Sequence, residues 1–164
     1  MVRAFDLDRF RRAQDAPNGG FDTALAELRA GQKKSHWIWY VFPQLAGLGR
    51  SSTAVFFGLD GAEEAVAYVR DDALGERLVT AAAAVRGHVT GARPLRLDRL
   101  MGSEIDALKL VSSMTLFGHI ARRLGAVDAP PRLAEIGENA EAILTAAARQ
   151  GYPRCAFTEQ HLKI

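Results

Sequence analysis

One stretch constrains this chain more than any other: Ser103-Glu-Ile-Asp-Ala-Leu-Lys-Leu-Val-Ser-Ser-Met-Thr-Leu-Phe-Gly-His-Ile120. At 100° per residue, Leu108, Val111, Thr115 and Leu116 share one arc of a helix, and Leu110, Met114, Phe117 and Ala121 share another. The two arcs nearly close around the axis, and a helix apolar on most sides is buried by other elements. A polar strip remains at i, i+3 and i+7: Asp106, Lys109 and Ser113. Ser112 lies off it. The strip is either a solvent face carrying an ordinary i,i+3 ion pair or the wall of a pocket, with Lys109 and Ser113 offering donors to an anion.

The elements that would bury this helix are themselves helical. Asp6 reads as a cap for Leu7, Phe10 and Ala13 at helical spacing, and Pro17 to Gly20 breaks the run. A second helix spans about Asp22 to Ala30, stopped by Gly31. Asp60 is expected to cap a helix ending near Arg70, and Asp71 or Asp72 another reaching Val85. Gly87 to Pro94 reads as loop, Leu95 to Met101 as a short helix, and Asn139 to Arg149 as the last long one. Between them, His36-Trp-Ile-Trp-Tyr-Val-Phe42 is bulky throughout. Periodicity does not separate a buried strand from a short buried helix there, and Pro43 ends it either way. The expected fold is mainly α: one compact multihelical domain over residues 1–164, with a short buried central segment.

With 48% hydrophobic and 24% charged residues, the chain is long enough and apolar enough to bury a core. A net charge of +2, from 21 basic and 19 acidic residues, is too balanced to argue for nucleic acid. The basic clusters Arg9, Arg11, Arg12 and Lys33, Lys34 read as a solvated helix face and a solvated loop. The single cysteine, Cys155, excludes an intramolecular disulfide framework and a multi-cysteine zinc site. No apolar run approaches the roughly 18 residues of a membrane span, and the charged N-terminus lacks a signal-peptide core. A cytoplasmic protein is expected.

Few residues announce chemistry. His36, His88, His119 and His161 never pair at metal-binding spacing, so no metal and no cofactor is expected. His119, toward a helix C-terminus, sits where a cation is favourable. The loop Gly47-Leu-Gly-Arg-Ser-Ser52 has glycines that let backbone N–H groups converge on an anion, yet Ser51 or Ser52 equally suits a helix cap. It is neither a Walker A loop nor a dinucleotide fingerprint. Trp37, Trp39, Tyr40 and Phe42 read first as core. Their buried N–H and O–H groups need partners, for which Gln14, His36 and Gln44 stand nearby.

These stretches also resemble a family. Asp6-Leu-Asp-Arg-Phe with Ala13-Gln14, Ala24-Leu-Ala-Glu-Leu-Arg-Ala-Gly31, His36-Trp-Ile-Trp, Phe42-Pro-Gln-Leu-Ala-Gly-Leu-Gly-Arg-Ser51, Glu64-Ala-Val-Ala-Tyr, Leu74-Gly-Glu-Arg-Leu and Leu108-Lys-Leu-Val-Ser-Ser-Met-Thr-Leu-Phe117 follow its pattern in order. The chain resembles the bacterial and fungal family catalogued as domain of unknown function 1810, which has mycobacterial members and is sometimes labelled calpastatin. The match runs over about residues 6–117, with a divergent helical tail over 125–164. The resemblance implies a multihelical fold with a short buried central helix; it does not imply an activity.

Two functional expectations follow. One is a site for a phosphorylated, nucleotide- or ADP-ribose-like small molecule. Arg50, Ser51, Lys109 and Ser113 would hold the anion, and Trp39 and Gln44 would orient the ring. If such a ligand is hydrolysed, Asp106 is the acid–base candidate. The alternative is a non-catalytic interaction or structural module. Whether the chain is an enzyme stays open at the level of sequence. The discriminator is whether the Gly47–Ser52 loop and the Lys109–Ser113 strip meet around one cavity.

Overall fold

A computed structural model describes residues 3–125 and 129–164. Among these residues the secondary structure is helical, apart from one isolated parallel bridge between Leu45 and Leu59. The helices are α1 (Asp8–Gln14), α2 (Phe21–Arg29), α3 (Ile38–Val41), α4 (Ser52–Phe57), α5 (Gly61–Arg70), α6 (Asp72–Val89), α7 (Leu97–Leu100), α8 (Glu104–Leu124), α9 (Pro131–Arg149) and α10 (Ala156–Leu162).

The helix apolar on two arcs is α8, and it is the axis of the fold. Every side chain from Leu110 to Gly118 is buried. Its longest partner is α9, which lies along both α8 and α6, while α2 closes on α6. Small residues permit the close α8–α9 approach: a Cβ on Gly118 would stand 3.2 Å from Ala140 Cβ. On the other side, α5 meets α8 through an aromatic contact, and α3 meets it where Lys109 stands over Trp39. Tyr68 packs edge-on to Phe10 at 5.1 Å and tilted on Phe117 at 5.4 Å. One contiguous core results.

Several expectations need correction. Asp6 is not a cap: α1 begins at Asp8 behind Leu7 with no side-chain cap bond. Asp60 flanks α5 without a side-chain cap either; its N–H donates to Glu64 Oε2 at 2.7 Å. Asp71 does cap α6, accepting from Leu74 N at 3.0 Å. α6 continues through Gly87 to Val89, because Val89 is pulled into the core. α9 starts eight residues before Asn139, at Pro131. Proline is well suited to the first helical position, where no intrahelical N–H bond is lost, and Gly137 remains helical beside Ala121. The tail folds as α10 against α8 and α5.

Two arginines satisfy carbonyls at helix C-termini from a distance. Arg9 Nε donates to Phe56 O at 2.9 Å, Nη2 to Gly58 O at 3.1 Å, and Nη1 pairs with Glu64 at 2.6 Å. It thereby ties α1 to the end of α4 and the start of α5. Arg132 of α9 donates to Val69 O at 3.2 Å and Arg70 O at 2.9 Å, and pairs with Asp72 at 2.8 Å, satisfying the α5–α6 corner.

Candidate functional site

The strip Asp106–Lys109–Ser113 does not face solvent. α8 is rotated so that Glu104, Ile105 and Leu108 are exposed, Leu108 by 47%, while Ser113 is fully buried. Leu108 was expected inside; the polar strip takes its place against α3.

The turn before α3 is what draws the strip inward. Gly31, at φ +82°, ends α2, and Lys33 N donates to Leu100 O at 2.7 Å. Gly102, at φ +81°, lets the two backbones approach: a Cβ there would lie 2.8 Å from Lys33 O. Glu27 then organises residues 34–37. Its Oε1 accepts from Lys34 N at 2.7 Å, Ser35 N at 2.8 Å and Trp37 Nε1 at 2.9 Å, and its Oε2 from Ser35 Oγ at 2.6 Å. Desolvation pushes the Glu27 carboxyl up, and these four bonds together outweigh it, lowering it to about 2. Trp37 thus finds its partner in Glu27 rather than in Gln44 or His36.

With the turn fixed, Lys33 points inward. It is not part of a solvated loop: its side chain is 5% exposed, donates to Ser35 O, pairs with Asp106 Oδ2 at 2.8 Å and lies 5.0 Å from the Trp37 ring centre. Asp106 Oδ1 is 3.5 Å from Lys109 Nζ, and that ammonium stands 4.5 Å over the Trp39 ring. Asp106 therefore sits between two ammonium groups, each resting on an indole face. Of this constellation, sequence reasoning found Asp106, Lys109 and Trp39 and missed Lys33 and Glu27. Lys33 carried no local signal, since residues 33–37 lie outside any helix.

Trp39, Gln44 and Lys109 do meet. With Ala54 and Phe57 they line one crevice of about 10 Å³. That is room for about one water molecule, against the several hundred Å³ typical of small-molecule pockets. The Gly47–Ser52 loop closes over the same region. A Cβ on Gly49 would fall 2.5 Å from Ala54 Cβ, and Gln44 Nε2 would be 3.9 Å away. Arg50 and Ser51 are exposed, and Ser51 caps α4 by accepting from Ala54 N at 3.1 Å. Ser113 lies one helical turn beyond Lys109. Its Oγ and Trp39 Nε1 are buried with no hydrogen-bond partner among the described residues. Such orphans are uncommon in native folds and typically mark water or a functional site.

The remaining groups are structural. Gln14 Nε2 donates to Tyr40 O at 2.7 Å and Tyr68 Oη at 3.0 Å, and Tyr40 donates to Gly19 O. The His119 imidazole is held below its usual range by desolvation and then by Arg122 and Arg123, so its surroundings disfavour the cation expected there.

The fold and site define a mainly helical domain with a partly buried lysine–aspartate–lysine cluster beside two tryptophans. The chain belongs to the family described as "Protein of unknown function (DUF1810)", whose profile matches residues 4–129. Among solved structures it is similar to the conserved hypothetical protein Rv1873 from Mycobacterium tuberculosis, at 35% identity and a TM-score of 0.72, covering 98% of each chain. That likeness extends beyond Phe117 through α9 and α10. No curated protein matches. Among the described residues, no helix is long and apolar enough to cross a membrane.

Proposed function

We propose that the protein is a recognition module that takes an anionic group, a phosphate or carboxylate, at Lys109, with the body of its ligand outside the crevice. The observation supporting this is the state of the Lys109 ammonium. Among the described residues its one carboxylate partner is distant, at 3.5 Å, and the buried Trp39 N–H and Ser113 hydroxyl nearby have no hydrogen-bond partner. An acceptor arriving at the crevice mouth completes Lys109 without breaking the shorter Lys33–Asp106 pair. Leu108, exposed beside Lys109, and Phe157, which packs 3.1 Å from the Cβ position of Gly47, offer apolar surface to the ligand body.

A nucleotide or ADP-ribose fits this reading through its phosphates, provided the Arg50 loop lifts to admit the ring toward Trp39 and Gln44. Hydrolysis asks more. Both Asp106 oxygens face lysine ammonium groups, so an acid–base role requires the cluster to open. The recognition reading needs no such rearrangement.

The test is a thermal-shift titration with inorganic phosphate, AMP and ADP-ribose on wild type, Lys109→Ala and Arg50→Ala. A ligand that binds only the folded state raises Tm with dose. A rise that disappears in Lys109→Ala is the expected result. A cooperative melt that no compound shifts would overturn the anion site and send the search to partner proteins.

A further inference from the structure

A second concave surface lies between the N-terminal segment, α5 and the end of α8. It is a groove of about 640 Å³, within the range of ligand pockets. Its floor is apolar: Ala62, Val66 and Leu124 have their inner sides against the core. Its charged residues are Arg3, Arg70 and Arg123, against one carboxylate, Glu63. Arg3 is already paired with Asp60 at 2.6 Å. The Arg70 and Arg123 guanidinium groups make no ion pair or hydrogen bond among the described residues.

The ordinary role for arginines in a last helical turn is to offset the negative helix end. For Arg70 that role is filled by another residue. Arg132 donates to the carbonyls of Val69 at 3.2 Å and Arg70 at 2.9 Å. Arg70 thus lines the groove with its five donors unpartnered among the described residues.

We propose that this groove binds an amphiphilic anion, a phosphate or carboxylate head on an apolar body. Arg70 and Arg123 take the head, and Val66, Ala62 and Leu124 the body. Guanidinium forks match oxyanions bidentately, and two like charges lining one groove are relieved by a shared anion. The site is separate from Lys109 and does not depend on it.

The experiment is isothermal titration with octyl phosphate, octanoate, inorganic phosphate and octanol on the Lys109→Ala chain, which removes the crevice anion site, alone and combined with Arg70→Ala/Arg123→Ala or with Arg149→Ala. Saturable binding of octyl phosphate or octanoate is expected, and which one binds more tightly identifies the head. On that background affinity should fall at least tenfold when Arg70 and Arg123 are both replaced and stay unchanged when Arg149, at the end of α9, is replaced. Inorganic phosphate and octanol should each bind more weakly than the amphiphile. Val66→Asp, which keeps both arginines, should also weaken binding. The proposal is overturned by no saturable binding, by equal affinity when both arginines are replaced, or by octanol binding as tightly as octyl phosphate.

Discussion

Asp106 balances two ammonium groups, one of them almost wholly enclosed, and this makes the two halves of the pair unequal. Removing the carboxylate leaves Lys33 buried without a counter-ion; removing Lys33 leaves Asp106 with Lys109. Breaking a buried pair from one side typically costs 3–5 kcal/mol. With Asp106 partly exposed, about 2–3 kcal/mol is expected for Asp106→Ala and less for Lys33→Met. Urea denaturation of the two variants checks the order; equal losses would contradict the asymmetry. Glu27 predicts a pH signature. Its carboxyl drops from an ordinary 4.5 in the unfolded chain to about 2 in the folded one, so its contribution is full above pH 4.5 and is lost as pH falls toward 2. Glu27→Gln should melt below wild type at neutral pH, and the gap should narrow steadily from pH 4.5 downward. A gap that is constant with pH would show that the Glu27 bonds do not favour the charged form.

At the level of elements, the connections between helices do more than the helices to place the site. The Gly31 and Gly102 turns bring the end of α2 against the α7–α8 corner, and only then does Lys33 reach Asp106. A side chain at Gly102 meets both a left-handed backbone, costing roughly 1–2 kcal/mol, and the Lys33 carbonyl. Gly102→Ala should therefore destabilise the protein by at least that amount and also disturb the tryptophan environment. Near-UV circular dichroism of Trp37 and Trp39 reads the second effect; a loss of stability with an unchanged tryptophan spectrum would limit the consequence to backbone strain. The capping serines make a useful contrast. Ser103 accepts from Asp106 N at 3.1 Å, an exposed cap of the kind typically worth about 1 kcal/mol.

For the molecule as a whole, α9 is the wall that completes the core. Leu133, Ile136, Ala140, Ile143, Leu144 and Ala147 are buried along it, facing α8 and α6. The family profile ends at residue 129, before this helix begins. A chain cut after Ala129 would expose the inner faces of both partners. It should lose its cooperative thermal transition and bind the hydrophobic dye ANS in the manner of a loosely packed state. A truncated chain that melts cooperatively near the wild-type temperature would show that α9 is dispensable.

The mainly helical class, the burial of α8, the short α3 and the candidate residues Asp106, Lys109 and Trp39 were legible because each rests on local periodicity or on the family pattern. Helix extents were less so: Gly87 and Gly137 look like breakers in isolation yet lie within α6 and α9, whose flanking residues are buried, and Pro131 opens α9 at its first position rather than interrupting it. The site was half legible. Nothing local distinguishes Lys33 from Lys34, although one is enclosed and the other exposed, because the difference is made by Leu100, Gly102 and Asp106 more than sixty residues away. Nor does a wheel reveal that α8 turns Leu108 outward and Ser113 inward. Residue types and their spacing determined which elements form and which groups are available to pair. The rotation of α8, the enclosure of the lysine–aspartate cluster and the near-closure of its crevice were decided by tertiary structure, since each is set by contacts between segments distant in the chain.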